Sequence, residues 1–350
     1  MTHHPILASL AVATLGLATC ADAPRQAAPA APDSEPEARA GEADPAGTNR
    51  SQDAGAAPDL ETIAAGFGDA VPAGETWLKV ETAGKAAPYG LWHETVMPGE
   101  TLEISHEADF ALALDGAVVS GLAAEHSWTA PAEAGAHELV AFDTEGRRQV
   151  LSVFVLTPLD DGETVLEGYR IGTYPRNTPE GLIRLADAEA LSTPVSPNFT
   201  IGQFICKQQP GHWPKFVLVT DPMLVRIEAL IGELQQENRT GADSFFVMSG
   251  FRTPFYNTAI GSARLSRHMY GDAADVFVDV DPENNVMDDI NGDGRVTRAD
   301  AEFLYDFASE LFTGSDAIPA GGIGAYGANA VHGPFVHIDG RGRAARWGRG

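Results

Sequence analysis

The chain has little cysteine, little positive charge and no long apolar run. Only Cys20 and Cys206 occur in 350 residues, which excludes a disulfide framework and a cysteine-rich zinc site. Cys206, in Phe-Ile-Cys-Lys, reads as a small buried hydrophobe. Lys and Arg number 23 against 49 Asp and Glu, a formal charge of −26. A phosphate backbone finds no electrostatic footprint there, so nucleic acid is not an expected partner. The longest apolar run, Ile6 to Ala18, is too short to span a bilayer. No Gly-x-Ser-x-Gly elbow and no His-Glu-x-x-His helix is present, which removes serine-hydrolase and thermolysin-like chemistry. Gly322-Ile-Gly-Ala-Tyr-Gly327 matches a dinucleotide fingerprint literally, but no strand–helix unit encloses it.

What is present falls into four stretches. Residues 1–20 have the length of a signal peptide, and Leu17-Ala-Thr-Cys20 resembles a lipoprotein lipobox, although His3 and His4 replace the usual basic start. Either an anchored or an ordinary secretory reading exports the protein to the cell envelope, with lipidation at Cys20 and an outer-membrane anchor expected in the first. Residues 21–65 are rich in Ala, Pro and acidic side chains and read as a disordered tether. Residues 66–160 hold short alternating runs such as Trp77–Glu81, Phe110–Leu114 and Val150–Leu156, separated by Pro-Gly and Asp-Gly turns, which predicts a β-sandwich-like domain. Its four histidines, 93, 106, 126 and 137, lack ligand spacing and read as surface or edge residues. Residues 161–350 form the last domain, beginning with a proline-rich connector. Asp221-Pro222 predicts a helix start with Asp221 as N-cap, followed by Met223, Ile227, Leu230, Ile231 and Leu234 on one face.

The chemistry gathers near the end. Asp275-Val-Phe-Val-Asp-Val280 and Phe335-Val-His-Ile-Asp339 both alternate as strands. If they are neighbours, Asp275 and His337 point to one place, and His268 reaches it from the preceding turn. Two imidazoles and one carboxylate suit Zn²⁺ with an open position. Spacing alone leaves equal room for His268 and His337 as satisfied polar residues of a domain surface.

Ser249-Gly-Phe-Arg252-Thr, Ser266-x-His268-x-x-Gly271-x-Ala273-x-Asp275, Gly321-Gly-Ile-Gly324-x-Tyr326 and Phe335-Val-His337-Ile-Asp339 occur in this order. Together they resemble the M15 zinc peptidases, in the branch of murein endopeptidases and D-Ala-D-Ala carboxypeptidases whose fold the hedgehog signalling domain shares. The resemblance covers about residues 200–347. It implies an α+β domain with a small antiparallel sheet and helices holding one zinc on His268, Asp275 and His337. It also implies Arg252 as a substrate and oxyanion contact and Ser266 as a substrate contact. The family's usual base lies three residues before the last ligand, where Pro334 stands here. His332 and Asp339 are the candidate bases. The substrate implied is peptidoglycan stem peptide or cross-link. The competing expectation is a non-catalytic envelope lipoprotein that binds cell wall and carries a structural zinc.

A second metal pattern interrupts the domain. Asp289-Ile-Asn291-Gly-Asp293-Gly-Arg295-Val-Thr-Arg-Ala-Asp300 places side-chain oxygens at loop positions 1, 3, 5 and 12, with glycine at 6. This is the EF-hand calcium pattern in its dockerin-like form, with the Arg295 carbonyl as a further ligand and a structural Ca²⁺ expected. Thr297 and Asp300 also resemble a capping box for a following helix through Phe303, Leu304, Phe307 and Leu311.

Overall fold

The computed structural model describes residues 59–280 and 283–349. The expected signal peptide, Cys20 and the tether up to residue 58 lie outside the described residues. The described residues form one compact unit. Among the described residues, no helix is long and apolar enough to cross a membrane.

The N-terminal part is β-rich. Its principal strands are β1 (Leu91–Val96), β2 (Thr101–Leu114), β3 (Ala123–Thr129), β4 (Gly135–Phe142) and β5 (Arg148–Val155). β2 has a register break between Ser105 and Phe110; its first half pairs with β3 and its second with β4. In the first half Leu102 and Ile104 are buried between exposed neighbours, as a strand with one wet face requires. In the second half Phe110 through Ala113 are buried on both faces. The extra cover is helix α1 (Leu60–Ala65) and Phe67, which pack on Ala111, Ala113, Val140 and Phe142. Residues 60–65, counted with the tether from composition, are therefore part of a small core. Phe67 meets Phe142 edge-on at 5.3 Å between ring centres.

The proline-rich connector is packed rather than loose. β6 (Gly181–Leu185) sits between β7 (Lys215–Val217) and residues 157–158. Tyr169, Ile171, Leu182, Ile183, Val195 and Phe199 are buried there, in a cluster that also includes Val80 and Trp92 of the β-rich part and Ile227 and Val336 further on.

Helix α2 (Asp221–Gln236) buries Met223, Leu224, Ile227, Leu230, Ile231 and Leu234. Each such side chain contributes about 1.5–3 kcal/mol by leaving water. The N-cap is Thr220, one residue before the expected Asp221, and it makes no side-chain cap bond. Asp221 instead reaches the β-rich part. Its carboxylate accepts from Lys85 Nζ at 2.8 Å and from Trp92 Nε1 at 3.3 Å. His93 lies at the same seam, 3 % exposed, with Nδ1 3.2 Å from the Val195 carbonyl and Nε2 3.8 Å from the Asp221 carboxylate. Of the surface or edge position expected from its lack of ligand spacing, His93 has the second only: it lies on the end strand of its sheet but is buried.

The final sheet has five strands: β8 (Phe246–Ser249), β9 (Ala273–Phe277), β10 (Gly322–Tyr326), β11 (Phe335–Asp339) and β12 (Ala345–Trp347), in spatial order β8-β9-β11-β10-β12. It is antiparallel except for β12, which runs parallel to β10. Ala274, Val276, Ile323, Val336 and Ile338 alternate into the core. α2 and α3 (Arg298–Gly314) lie against β11. The opposite face carries the site.

Candidate metal centre

The register of the sheet builds the site. Asp275 of β9 stands directly opposite His337 of β11, and His337 opposite Gly324 of β10. Paired residues on antiparallel strands share a face. His268 arrives from the 3₁₀ turn Arg267–Tyr270, whose His268 carbonyl accepts from Arg252 N at 3.0 Å. Gly271 closes that turn at φ +66°, and a Cβ there would lie 2.4 Å from the Leu218 backbone. The turn is thereby pressed onto the chain before α2.

Three ligand atoms converge. His268 Nε2 is 3.3 Å from His337 Nδ1 and 3.4 Å from Asp275 Oδ1, and the last two are 2.8 Å apart. Donors about 2.0–2.1 Å from a tetrahedral zinc are about 3.3 Å from one another. Among the described residues this is the only group of three or more His, Cys, Asp or Glu side chains whose ligand atoms lie so close.

Each ligand is held from behind. His268 Nδ1 donates to the Gly250 carbonyl at 2.7 Å, which leaves Nε2 as its lone-pair nitrogen. Asp275 Oδ2 accepts from Arg252 Nη2 at 2.6 Å. His337 Nε2 lies 3.2 Å from Asp339 Oδ2, and Asp339 is clamped by the Arg341 guanidinium, Nε at 2.7 Å from Oδ1. Such outer partners fix the tautomer and the ring orientation of metal-bound imidazoles. Burial pushes the His268 pKa down, which keeps its ring neutral. Burial works against ionisation of Asp275, but His268 and His337 outweigh it and hold its pKa well below the usual range. Burial likewise opposes a proton on His337, yet bonds to Asp275 and Asp339 raise it to about 9. With no metal, that proton supplies the positive charge which two buried carboxylates demand. A neutral His268, an ionised Asp275 and an His337 whose Nε2 bond frees Nδ1 are the donor set zinc takes.

The other residues expected at the site are placed differently from one another. Arg252 donates to Ser249 Oγ at 2.7 Å, Ser262 Oγ at 3.3 Å and Asp275, so its first task is to hold a ligand. Ser266 is the N-cap residue of the His268 turn, and its hydroxyl bonds to none of the described residues. Asp339 is fully buried; burial raises its pKa, but His337 and Arg341 hold it far below the carboxylate range. A carboxylate so committed is a poor proton acceptor, which counts against it as base. His332 is partly exposed on the loop before β11. Its Nδ1 is 2.8 Å from the Gly333 carbonyl and its Nε2 2.7 Å from Asn329 Nδ2, with no bond to the ligand trio.

The loop 289–300 closes on its own backbone. Asp289 accepts from the amides of Gly292, Asp293 and Gly294, and Asp293 from that of Arg295. Asn291 Oδ1 accepts from Asp293 N at 2.9 Å. Thr297 caps α3, and Asp300 completes the capping box by accepting from Thr297 N at 2.7 Å. The three carboxylates of the loop, Asp289, Asp293 and Asp300, are not gathered as His268, Asp275 and His337 are.

Sequence reading missed Arg341 and Trp347 as parts of the site. Asp339-x-Arg341 was the available signal for the first. Trp347 marked only the end of the family resemblance, because its place beside the site depends on the parallel pairing of β12 with β10.

A buried His/Asp/His cluster of this geometry is a set of side chains that could hold a metal ion. Residues 198–291 match the family model described as Peptidase M15, a stretch that includes Arg252, His268 and Asp275. That match supports a peptidase of the M15 family, a hydrolase class in which zinc is the usual metal. No curated protein matches the chain. A solved structure that does match is titled "Structures of Clostridium thermocellum CbhA fibronectin(III)-like modules", at 20 % identity over 22 % of this chain and 94 % of that one, with a TM-score of 0.15.

Proposed function

We propose that the protein is an exported zinc peptidase that cuts peptide bonds in peptidoglycan stem peptides or cross-links. The observation that carries the reading is the trio His268 Nε2, Asp275 Oδ1 and His337 Nδ1 at mutual distances of 2.8–3.4 Å, each backed by its own partner. Bound zinc would polarise the scissile carbonyl and lower the pKa of a coordinated water. Arg252 pins Asp275 and keeps two of a guanidinium's five N–H groups for the substrate's carbonyl oxygen as charge develops there. Ser266 offers an unengaged hydroxyl to the peptide. His332 takes the proton through Nε2, since Nδ1 donates to Gly333. Asn329 must release that nitrogen first. Export, and an envelope anchor through Cys20, belong to the same proposal and rest on the sequence of residues 1–20. Structural calcium at loop 289–300 is proposed on the ligand spacing, with Gly292 and Gly294 at φ +75° and +84° giving the tight turn.

Digestion of purified murein with zinc-loaded protein, followed by mass analysis, tests the activity. Released peptides are expected, and none from the His268→Ala variant. Equal release by that variant, or murein binding with no release by the wild type, would sink the assignment.

A further inference from the structure

The C-terminal strand ends in a tryptophan that no part of the reading above uses. Trp347 lies beside His337, with ring centres 5.3 Å apart and planes at 51°. Its Nε1 donates to the Tyr326 hydroxyl at 2.8 Å, which fixes the indole along β10. The Arg341 guanidinium lies 4.9 Å from the same indole while clamping Asp339, the partner of His337 Nε2. The indole fits only because residue 324 is glycine: a Cβ there would sit 2.2 Å from Trp347 Nε1. Gly324 has no positive φ, so backbone conformation gives no other reason for it.

We propose that Trp347 is a positioning residue of the metal centre, holding the His337 ring so that Nδ1 faces Asp275 and His268. The physical need is specific. The outer torsion of a histidine is broad, so the ring tilts readily unless something packs against it. A tilted His337 would swing Nδ1 away from Asp275 and His268. Asp339 opposes a full flip, which would put a ring carbon in the place of Nε2, but one bond at 3.2 Å does not stop the ring rocking about it. The indole on one flank and the Asp339–Arg341 clamp on the other leave one orientation. This rests on the trio being a metal site.

The test is a cycle on Gly324 and Trp347, neither of which is a ligand. Zinc affinity is measured by competition with a chromophoric chelator, the cobalt-substituted absorption spectrum reports ligand geometry, and far-UV circular dichroism confirms folding. Trp347→Ala and Gly324→Ala each weaken zinc binding about tenfold, the lower end for lost outer partners. In the Trp347→Ala background, Gly324→Ala adds no further loss, because the space it would fill is already vacant. Trp347→Phe keeps a ring against His337 and binds zinc more tightly than Trp347→Ala. Should Trp347→Ala not fold, Trp347→Phe and Gly324→Ala carry the comparison. Folded variants with wild-type affinity and an unchanged cobalt spectrum, or losses that simply add in the double variant, overturn the inference alone. A wild type that binds no zinc overturns the metal reading and this inference with it.

Discussion

Two glycines with almost the same backbone give an internally controlled test of how the His268 turn is held. Gly271 has φ +66° and Gly261 φ +67°. Alanine at either position enters the left-handed region, at about 1–2 kcal/mol. Around Gly261 a Cβ meets nothing within 4 Å, so that penalty is the whole effect. At Gly271 a Cβ would lie 2.4 Å from Leu218 C and O, and backbone cannot step aside as a side chain does. Overpacking of this kind adds about 1–3 kcal/mol. Gly271→Ala should therefore lose about 2–5 kcal/mol, and Gly261→Ala about 1–2. At roughly 2 °C per kcal/mol for a unit this long, the melting temperatures fall by about 4–10 °C and 2–4 °C. The assay is thermal unfolding by circular dichroism, with zinc affinity measured in parallel. Because Gly271 follows His268 by three residues, only its variant should also lose zinc affinity. Equal losses in the two variants would refute the claim that contact with Leu218 seats the turn.

Three further outcomes are expected. Burial lowers the pKa of His93 from 6.5, so the unfolded chain binds its proton first as pH falls. Its stability contribution is complete above about pH 6.5 and is lost on acidification; His93→Gln should flatten the fall in melting temperature between pH 7.5 and lower values, and an unchanged slope removes His93 as its source. Asp339→Asn should lower zinc affinity by about 10–100-fold, since an amide donating to Nε2 moves the His337 proton onto the ligand nitrogen; chelator competition checks this, and undiminished affinity would show that Asp339 does not set the tautomer. Calorimetry with Ca²⁺ on the wild type and on Asp293→Ala tests the loop; binding abolished by the substitution is expected, and equal heats remove calcium.

The convergence of His268, Asp275 and His337 was legible in sequence because strand alternation puts Asp275 and His337 on defined faces, and the antiparallel neighbour relation needs only one further assumption. The helix α2 was legible too, since six buried apolar side chains impose the 3.6-residue period. What failed to show was everything set by a partner distant in the chain. Asp221 looked like a cap because caps are local, yet its carboxylate is used by Lys85 and Trp92, 136 and 129 residues away. His93 looked exposed because nothing near it in sequence explained burial; Val195 does. The same limit decided the roles of Arg252 and Asp339. Family resemblance placed both near the metal, but not whether their polar atoms face a substrate or a ligand. Geometry gives Arg252 one hand on Asp275 and gives Asp339 to His337, Arg341 and the Gly322 amide. In the proposed reading proton transfer falls to the loop before β11, where Pro334 cannot take a proton and the His332 imidazole can. A base carried on a loop rather than on the sheet must be brought to its work by substrate, so under the proposed reading turnover should fail when His332 is changed, while zinc affinity stays, and removal of the Asn329 side chain, which holds Nε2, should not abolish it.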